Sequence, residues 1–248
     1  MKKGYITEIF SSFQGEGPYA GRRQLFIRFA GCPLSCFYCD TSYARDPRPN
    51  LCNVLLPGKK TRFKRNPLST SEVMDYLTEL LTPDVHCICY TGGEPLSSVA
   101  FVKEIAAEAK MMQFKNFIET SGNSAREFAS LADLFDFASI DIKLRNHGAV
   151  EEKDYDDLYS NELECIRIAV GREIETIVKV IVVKNTPVGE IEGICKDLAG
   201  LDVLFVLQPV TAPAQPGTKE LFELSEVAGL YLHHVMVIPQ VHNLWGIH

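Results

Sequence analysis

Short apolar runs alternate along this chain with segments whose apolar positions recur every three or four residues. The runs read as strands buried on both faces, and the periodic segments read as helices with one apolar stripe. The strand pattern covers Gln24–Ala30 (QLFIRFA), His86–Thr91 (HCICYT), Phe114–Thr120 (FKNFIET) and Phe135–Lys143 (FDFASIDIK). It returns at Thr176–Val183 (TIVKVIVV), Val203–Val210 (VLFVLQPV) and Val235–Pro239 (VMVIP). Helices are predicted over Ser69–Leu81, Ser97–Met111, Ser124–Leu134, Tyr155–Val170 and Lys219–Leu232. Another has Pro187 in its first turn, where proline is tolerated. Ser69 and Glu72 have the spacing of a capping box. This alternation predicts an α/β fold, with a mostly parallel sheet and helices packed outside it. The 248 residues suit a single barrel-like domain, and no internal repeat or low-complexity tract breaks the pattern.

In such folds the chemistry gathers at the carboxyl ends of the strands. Here those ends carry Thr91-Gly92-Gly93-Glu94, Glu119-Thr120-Ser121-Gly122, Asp141 with Lys143, and Gln208. The first strand runs directly into GCPLSCFYCDT, which spaces Cys32, Cys36 and Cys39 as C-x3-C-x2-C. Three thiolates this close can share one [4Fe–4S] cluster and leave one iron open to a small molecule. A zinc site with Cys52 as fourth ligand, or purely structural thiols, are the alternatives. Cys87, Cys89, Cys165 and Cys195 fall in apolar patterns and read as core. The N-terminus MKKGYITEIF lacks the apolar stretch of a secretory signal, so a cytoplasmic location with reduced thiols is expected. No apolar run approaches a membrane span, and the net charge of −7 argues against a general nucleic-acid binder.

One stretch departs from that acidic balance. Between Thr41 and Ser69 lie Arg45, Arg48, Lys59, Lys60, Arg62, Lys64 and Arg65, against Asp46 alone. Its prolines and Gly58 predict a long irregular basic insertion over about residues 42–68. It reads as a solvated surface loop or as a docking patch for an acidic electron-transfer protein.

Four further features carry candidate chemistry. TGGEP (Thr91–Pro95) is either a tight turn or a backbone cradle for a small zwitterion. SSFQGEGPYAG (Ser11–Gly21) sets the Gln14 amide and the Glu16 acid on a glycine-bordered loop, suited to a heterocycle with several donors and acceptors. Arg28, inside the apolar FIRFA, pairs either with an acid or with a substrate carboxylate. Thr41 is a turn residue or a Mg²⁺ ligand, and His242 lies in the tail PQVHNLWGIH with the only tryptophan.

Taken together, FSSFQGEG, FIRFAGC, the CDT after the last cysteine, TGGEP, ETSG and PQVH resemble the 7-carboxy-7-deazaguanine synthase family of radical S-adenosylmethionine (SAM) enzymes. The resemblance spans nearly the whole chain. It implies a partial (incomplete) TIM-type β/α barrel forming a single domain over residues 1–248, with a closing tail at about 239–248. It implies Cys32, Cys36 and Cys39 as cluster ligands and Thr41 as the Mg²⁺ ligand. SAM would meet Phe37, Tyr38, Gly93, Glu94, the Asp141-Ile142-Lys143 segment, and Gln208, Pro209, Val210 and Thr211. The substrate would meet Phe13, Gln14, Gly15, Glu16, Arg28, Thr91, His242 and the terminal His248. The implied reaction converts 6-carboxy-5,6,7,8-tetrahydropterin to 7-carboxy-7-deazaguanine and ammonia. A radical derived from SAM takes hydrogen from C6, the ring contracts, and hydrogen return regenerates SAM. A one-electron donor such as flavodoxin or ferredoxin and a homodimer are the implied partners. Two departures stand out: Asn243 where the family often has lysine, and the basic insertion after Thr41. The rival within the superfamily is a glycyl-radical-enzyme activase acting on a protein.

Overall fold

The computed structural model describes residues 2–56, 61–211 and 214–247. The chain opens with β1 (Lys3–Gly4), β2 (Ile6–Phe13) and β3 (Arg23–Phe29), followed by β4 (Leu51–Leu55), β5 (Arg62–Arg65) and β6 (Leu68–Ser69). It then alternates through α1 (Thr70–Leu80), β7 (Cys87–Gly92), α2 (Val99–Met111), β8 (Asn116–Thr120), α3 (Ala125–Leu131), β9 (Phe137–Ile142) and α4 (Tyr155–Gly171). β10 (Glu175–Val182), α5 (Val188–Leu198), β11 (Leu204–Pro209), α6 (Thr218–Gly229), β12 (Val235–Val237) and a short α7 (Val241–Trp245) complete it.

The ten-stranded sheet has the order β12-β11-β10-β9-β8-β7-β3-β2-β4-β5. From β3 to β12 every neighbouring pair is parallel. The two edges, β12 and β5, do not pair with each other among the described residues, so the barrel is partial. Apolar runs serve both faces of it. On β7, Ile88 and Tyr90 join the core under the helices, while Cys87 and Cys89 pack inward with Phe10, Phe26, Phe117 and Phe137. The α1 capping box forms as expected: Glu72 N donates to Ser69 Oγ at 3.3 Å, and Ser69 N donates to Glu72 Oε2 at 2.9 Å.

Two regions differ from expectation. β2 pairs antiparallel with β3, a strand hidden in the sequence by Glu8 and two serines. The region expected to be an irregular basic loop contains a β-hairpin: β4 pairs antiparallel with β5 and parallel with β2. Cys52 and Val54 alternate into the core and give β4 its register. Two basic side chains of β5 lie against α1. Arg62 bonds Glu79 on α1, and Arg62 and Lys64 lie over the Tyr76 ring. Lys59 and Lys60 fall outside the described residues.

Candidate active site

β3 delivers the chain to the cysteine loop through Gly31, whose φ of 90° suits a residue without a side chain. Cys32, Cys36 and Cys39 line a cavity of about 440 Å³ at the carboxyl ends of the parallel strands. The loop is tied down on two sides. Ser35 N donates to Ala149 O at 2.9 Å, Phe37 N donates to His147 O at 3.1 Å, and Arg45 Nη2 donates to Cys36 O at 2.8 Å. Burial pushes the Cys32 thiol up to about 11 and raises Cys36 as well. Loading a metal cluster therefore releases protons from these thiols.

The zinc alternative loses its fourth ligand here. Cys52 is fully buried in the main core beneath α1, apart from the group formed by Cys32, Cys36 and Cys39 with Leu34, Tyr38 and Ala149. Tetrahedral zinc with bonds near 2.3 Å would bring its sulfurs to roughly 3.8 Å from one another. Among the described residues, the set of metal-ligating atoms all within 4.8 Å of one another is Glu16, Asp40 and His242. The three thiols do not all close to that spacing, and a [4Fe–4S] cluster, which gives each thiolate its own iron, does not ask them to.

Gly93 lets β7 reach the cysteine loop. A Cβ there would lie 2.7 Å from Ala44 O and from the carbonyl carbon of Gly31. Glu94, expected to meet SAM, has its carboxylate oxygens engaged inside the protein. It accepts from Leu96 N (2.9 Å), Thr120 Oγ1 (2.6 Å), Ser121 N (2.8 Å) and Ser121 Oγ (2.5 Å). Four donors fill the carboxylate and lock the TGGEP turn onto the ETSG turn. Gln208, by contrast, lines the cavity almost fully buried, and neither atom of its amide has a partner. Such an amide fits a polar ligand in this cavity.

Charges alternate along one wall. Lys143 Nζ donates to Asp141 Oδ2 at 2.9 Å, and Lys179 Nζ donates to Asp141 Oδ1 at 3.2 Å and also to Glu16. Burial alone would raise the Glu16 carboxyl, but Lys179, Gln240 and His242 outweigh it and hold it at about 2. Glu119 sits nearby, raised by burial despite Lys179. Gln14 spends its whole amide inside the protein: Nε2 donates to Gln24 and Glu119, and Oε1 accepts from Glu16 N. Arg28 Nε donates to Glu8 Oε2 at 2.9 Å, which leaves both terminal nitrogens to the cavity. Tyr43 donates to the same Glu8 oxygen at 3.0 Å.

The C-terminal tail covers the opening. Val241 N donates to Gly15 O at 2.8 Å, and Gln240 Nε2 donates to Glu16 Oε1 at 2.8 Å and Asp40 Oδ2 at 3.2 Å. His242, Asn243 and Ile247 join the lining. Thr41 also lines it, with Oγ1 at 3.7 Å from Cys39 Sγ. Glu16, Asp40 and His242 bring ligand atoms within 4.8 Å of one another in the cavity that Thr41 also lines, a donor group that could hold a cation such as Mg²⁺.

Most expected site residues thus converge: Arg28, the three cysteines, Tyr38, Thr41, Thr91, Gly93, Glu94, Asp141, Lys143, Gln208, Gln14, Glu16 and His242. Others do not line the cavity. Ile142 and Pro209 alternate away from Asp141 and Gln208 along their strands and are buried. Val210 and Thr211 lie beyond the end of β11, with Thr211 Oγ1 near Gln240 and Asn243. Phe37 is exposed on the loop, Phe13 packs edge-on against Trp245, and Gly15 lies under His242. His248 is outside the described residues. Sequence reasoning missed Asp40, Lys179 and Gln240. Lys179 carried a usable signal, a lysine inside the apolar TIVKVIVV, the same anomaly that marked Arg28.

Comparison with known proteins agrees with this geometry. The radical SAM superfamily model matches residues 26–198. A 7-carboxy-7-deazaguanine synthase of Methanocaldococcus jannaschii is 35% identical, over 98% of this chain and 99% of its own. One from Methanothermobacter thermautotrophicus is 36% identical, over 100% and 99%. Among solved structures, QueE from Escherichia coli aligns with a TM-score of 0.59 at 19% identity, covering 95% of this chain and 93% of that one. A radical SAM methyltransferase from Sphaerobacter thermophilus aligns at 0.64 and 13% identity, covering 94% and 77%; these two likenesses speak to the fold. With the thiol cavity in place and near-full-length identity above 30% to several synthases, the chain belongs to the radical SAM superfamily and, within it, to the 7-carboxy-7-deazaguanine synthase family.

Proposed function

We propose that this chain converts 6-carboxy-5,6,7,8-tetrahydropterin to 7-carboxy-7-deazaguanine and ammonia, with a [4Fe–4S] cluster, SAM and Mg²⁺. The observation that carries this reading is one cavity shared by three thiols, a half-committed arginine and the closing tail. When bound, the cluster and SAM supply the one-electron chemistry that starts the reaction. Cys32, Cys36 and Cys39 hold the cluster, and the Gln208 amide hydrogen-bonds SAM. Arg28 binds the pterin carboxylate through its terminal nitrogens, while Glu8 and Tyr43 fix the angle of its guanidinium. Thr41, with Asp40 beside it, holds Mg²⁺. Glu16 stays ionised at neutral pH and, with Lys179, fixes the floor beneath the substrate. The tail excludes water once the substrate is in place.

A small one-electron donor reduces the cluster, docking on the exposed Phe37 of the cysteine loop. Two copies of the chain form the working unit. The tail over the cavity disfavours a protein substrate, which would need that path open. No helix among the described residues is long and apolar enough to cross a membrane.

Equilibrium binding of the pterin to wild type and Arg28→Gln tests the assignment. A lost charged hydrogen bond of about 1.5–3 kcal/mol predicts roughly ten- to 150-fold weaker binding. Iron content should be unchanged. Equal affinity in the two proteins would remove Arg28 from the substrate site.

A further inference from the structure

The cysteine loop is held by a cation that no carboxylate balances. Arg45 closes the turn Ser42–Arg45 just after Cys39, and its Nη2 donates to Cys36 O at 2.8 Å. Its side chain lines the same cavity as the thiols, and its Nε is buried without a hydrogen-bond partner. The adjacent Asp46 faces away: its Oδ1 accepts from Arg48 N at 2.9 Å. Among the described residues Arg45 makes no ion pair. The other cations on the cavity wall are matched, Arg28 by Glu8, Lys143 by Asp141, and Lys179 by Glu16 and Asp141.

The turn gives Arg45 little freedom to leave. Ala44 is fully buried, its N donates to Thr41 O at 2.8 Å, and its O accepts from Gly31 N at 2.8 Å. A partly buried guanidinium with an unsatisfied N–H is costly unless an anion meets it. A cluster held by three thiolates brings negative charge to this place.

We infer that Arg45 is the counter-ion of the cluster: it fixes the Cys36 peptide and raises the reduction potential. This rests on the cluster assignment above. Reduction adds one negative charge, so a nearby cation favours the reduced form, and removing it makes the cluster harder to reduce. Arg45 is a positioning residue, since it acts through the cluster and touches no reacting atom of the pterin.

The test is an EPR-monitored redox titration of the reconstituted cluster, without SAM or substrate, with iron counted in each sample. The proteins are wild type, Arg45→Gln and Arg45→Lys. Arg45→Gln should be about tenfold harder to reduce, a fall of about 59 mV for one electron. Arg45→Lys keeps the charge and should lie closer to wild type. Equal potentials in wild type and Arg45→Gln would overturn the inference. If Arg45→Gln takes up no iron, Arg45→Lys decides. A lysine variant with full iron and near-wild-type potential supports the charge. One that also loses iron reduces the role to the hydrogen bond and overturns the counter-ion. A wild-type chain that assembles no [4Fe–4S] cluster fails the cluster assignment itself, before Arg45 is at issue.

Discussion

Replacing Gly15 with alanine should release the C-terminal tail while leaving the barrel folded. The new methyl carbon would sit 2.6 Å from both Cβ and Cγ of His242, where ordinary carbon contacts are about 3.5–4.0 Å. A new rotamer of His242 cannot relieve this, because its Cβ is fixed by the backbone. The start of α7 must therefore move by about 1 Å, past the reach of the hydrogen bonds that hold it. The two shortest are Val241 N to Gly15 O and Gln240 Nε2 to Glu16 Oε1, both 2.8 Å. Each is worth about 0.5–1.5 kcal/mol net, so the pair contributes about 1–3 kcal/mol. Losing both shifts the closed-to-open ratio by roughly five- to 150-fold. Gly15 does not adopt a positive φ, so alanine costs nothing in backbone strain. Trp245 is the only tryptophan and stands edge-on to Phe13 at 6.3 Å, which makes its fluorescence a report on the tail alone. Acrylamide quenching and amide exchange over Val241–Trp245 should both rise, KM for the pterin should rise, and iron content and Tm should hold. Unchanged quenching and exchange would show that the tail does not close through Gly15.

Cys52→Ala should keep all its iron and lose about 1 kcal/mol of stability as a small core cavity; iron loss would revive the zinc site. Glu94→Gln removes the charge that four donors share, and should cost about 3 kcal/mol or more, read as a lower urea midpoint. His147 is lowered from 6.5 to about 3, by burial first and Lys143 second. Below pH 6.5 the unfolded chain takes up that proton and the folded chain does not, so stability should decline as pH falls from 6.5 toward 3. His147→Gln should flatten the decline in urea midpoint between pH 7 and 5; an unaltered slope would assign it to other groups. The folded pKa of Glu16, about 2 against an ordinary 4.5, stabilises the fold above 4.5, and that contribution should fade as pH falls from 4.5 toward 2. Glu16→Gln should lessen acid sensitivity in that window.

The inner parallel strands were legible because they are buried on both faces and so read as continuous apolar runs, as TIVKVIVV does. β2 was not, because it pairs antiparallel with β3 and carries Glu8 as the partner of Arg28 rather than as a surface residue. The β4–β5 hairpin was masked by prolines on both sides and by the basic residues of its edge strand. At the site, motifs announced which side chains would meet, but not how they would divide the work. Glu94 and Gln14 have their polar atoms used internally, while Gln208 keeps its amide unpaired. That division depends on which turns pack together, and nothing in a local motif encodes it. Lys179 stands in TIVKVIVV as Arg28 stands in FIRFA, a cation inside an apolar strand that carboxylates hold.

The most direct measurement is anaerobic turnover by the reconstituted chain alone, with SAM, dithionite, Mg²⁺ and 6-carboxy-5,6,7,8-tetrahydropterin, followed by mass spectrometry of every component. The expected result is 7-carboxy-7-deazaguanine and ammonia in equal amounts, with many turnovers per SAM and no second protein required. A chain that cleaves SAM but leaves the pterin unchanged would contradict the substrate assignment and turn attention to another heterocycle or a protein.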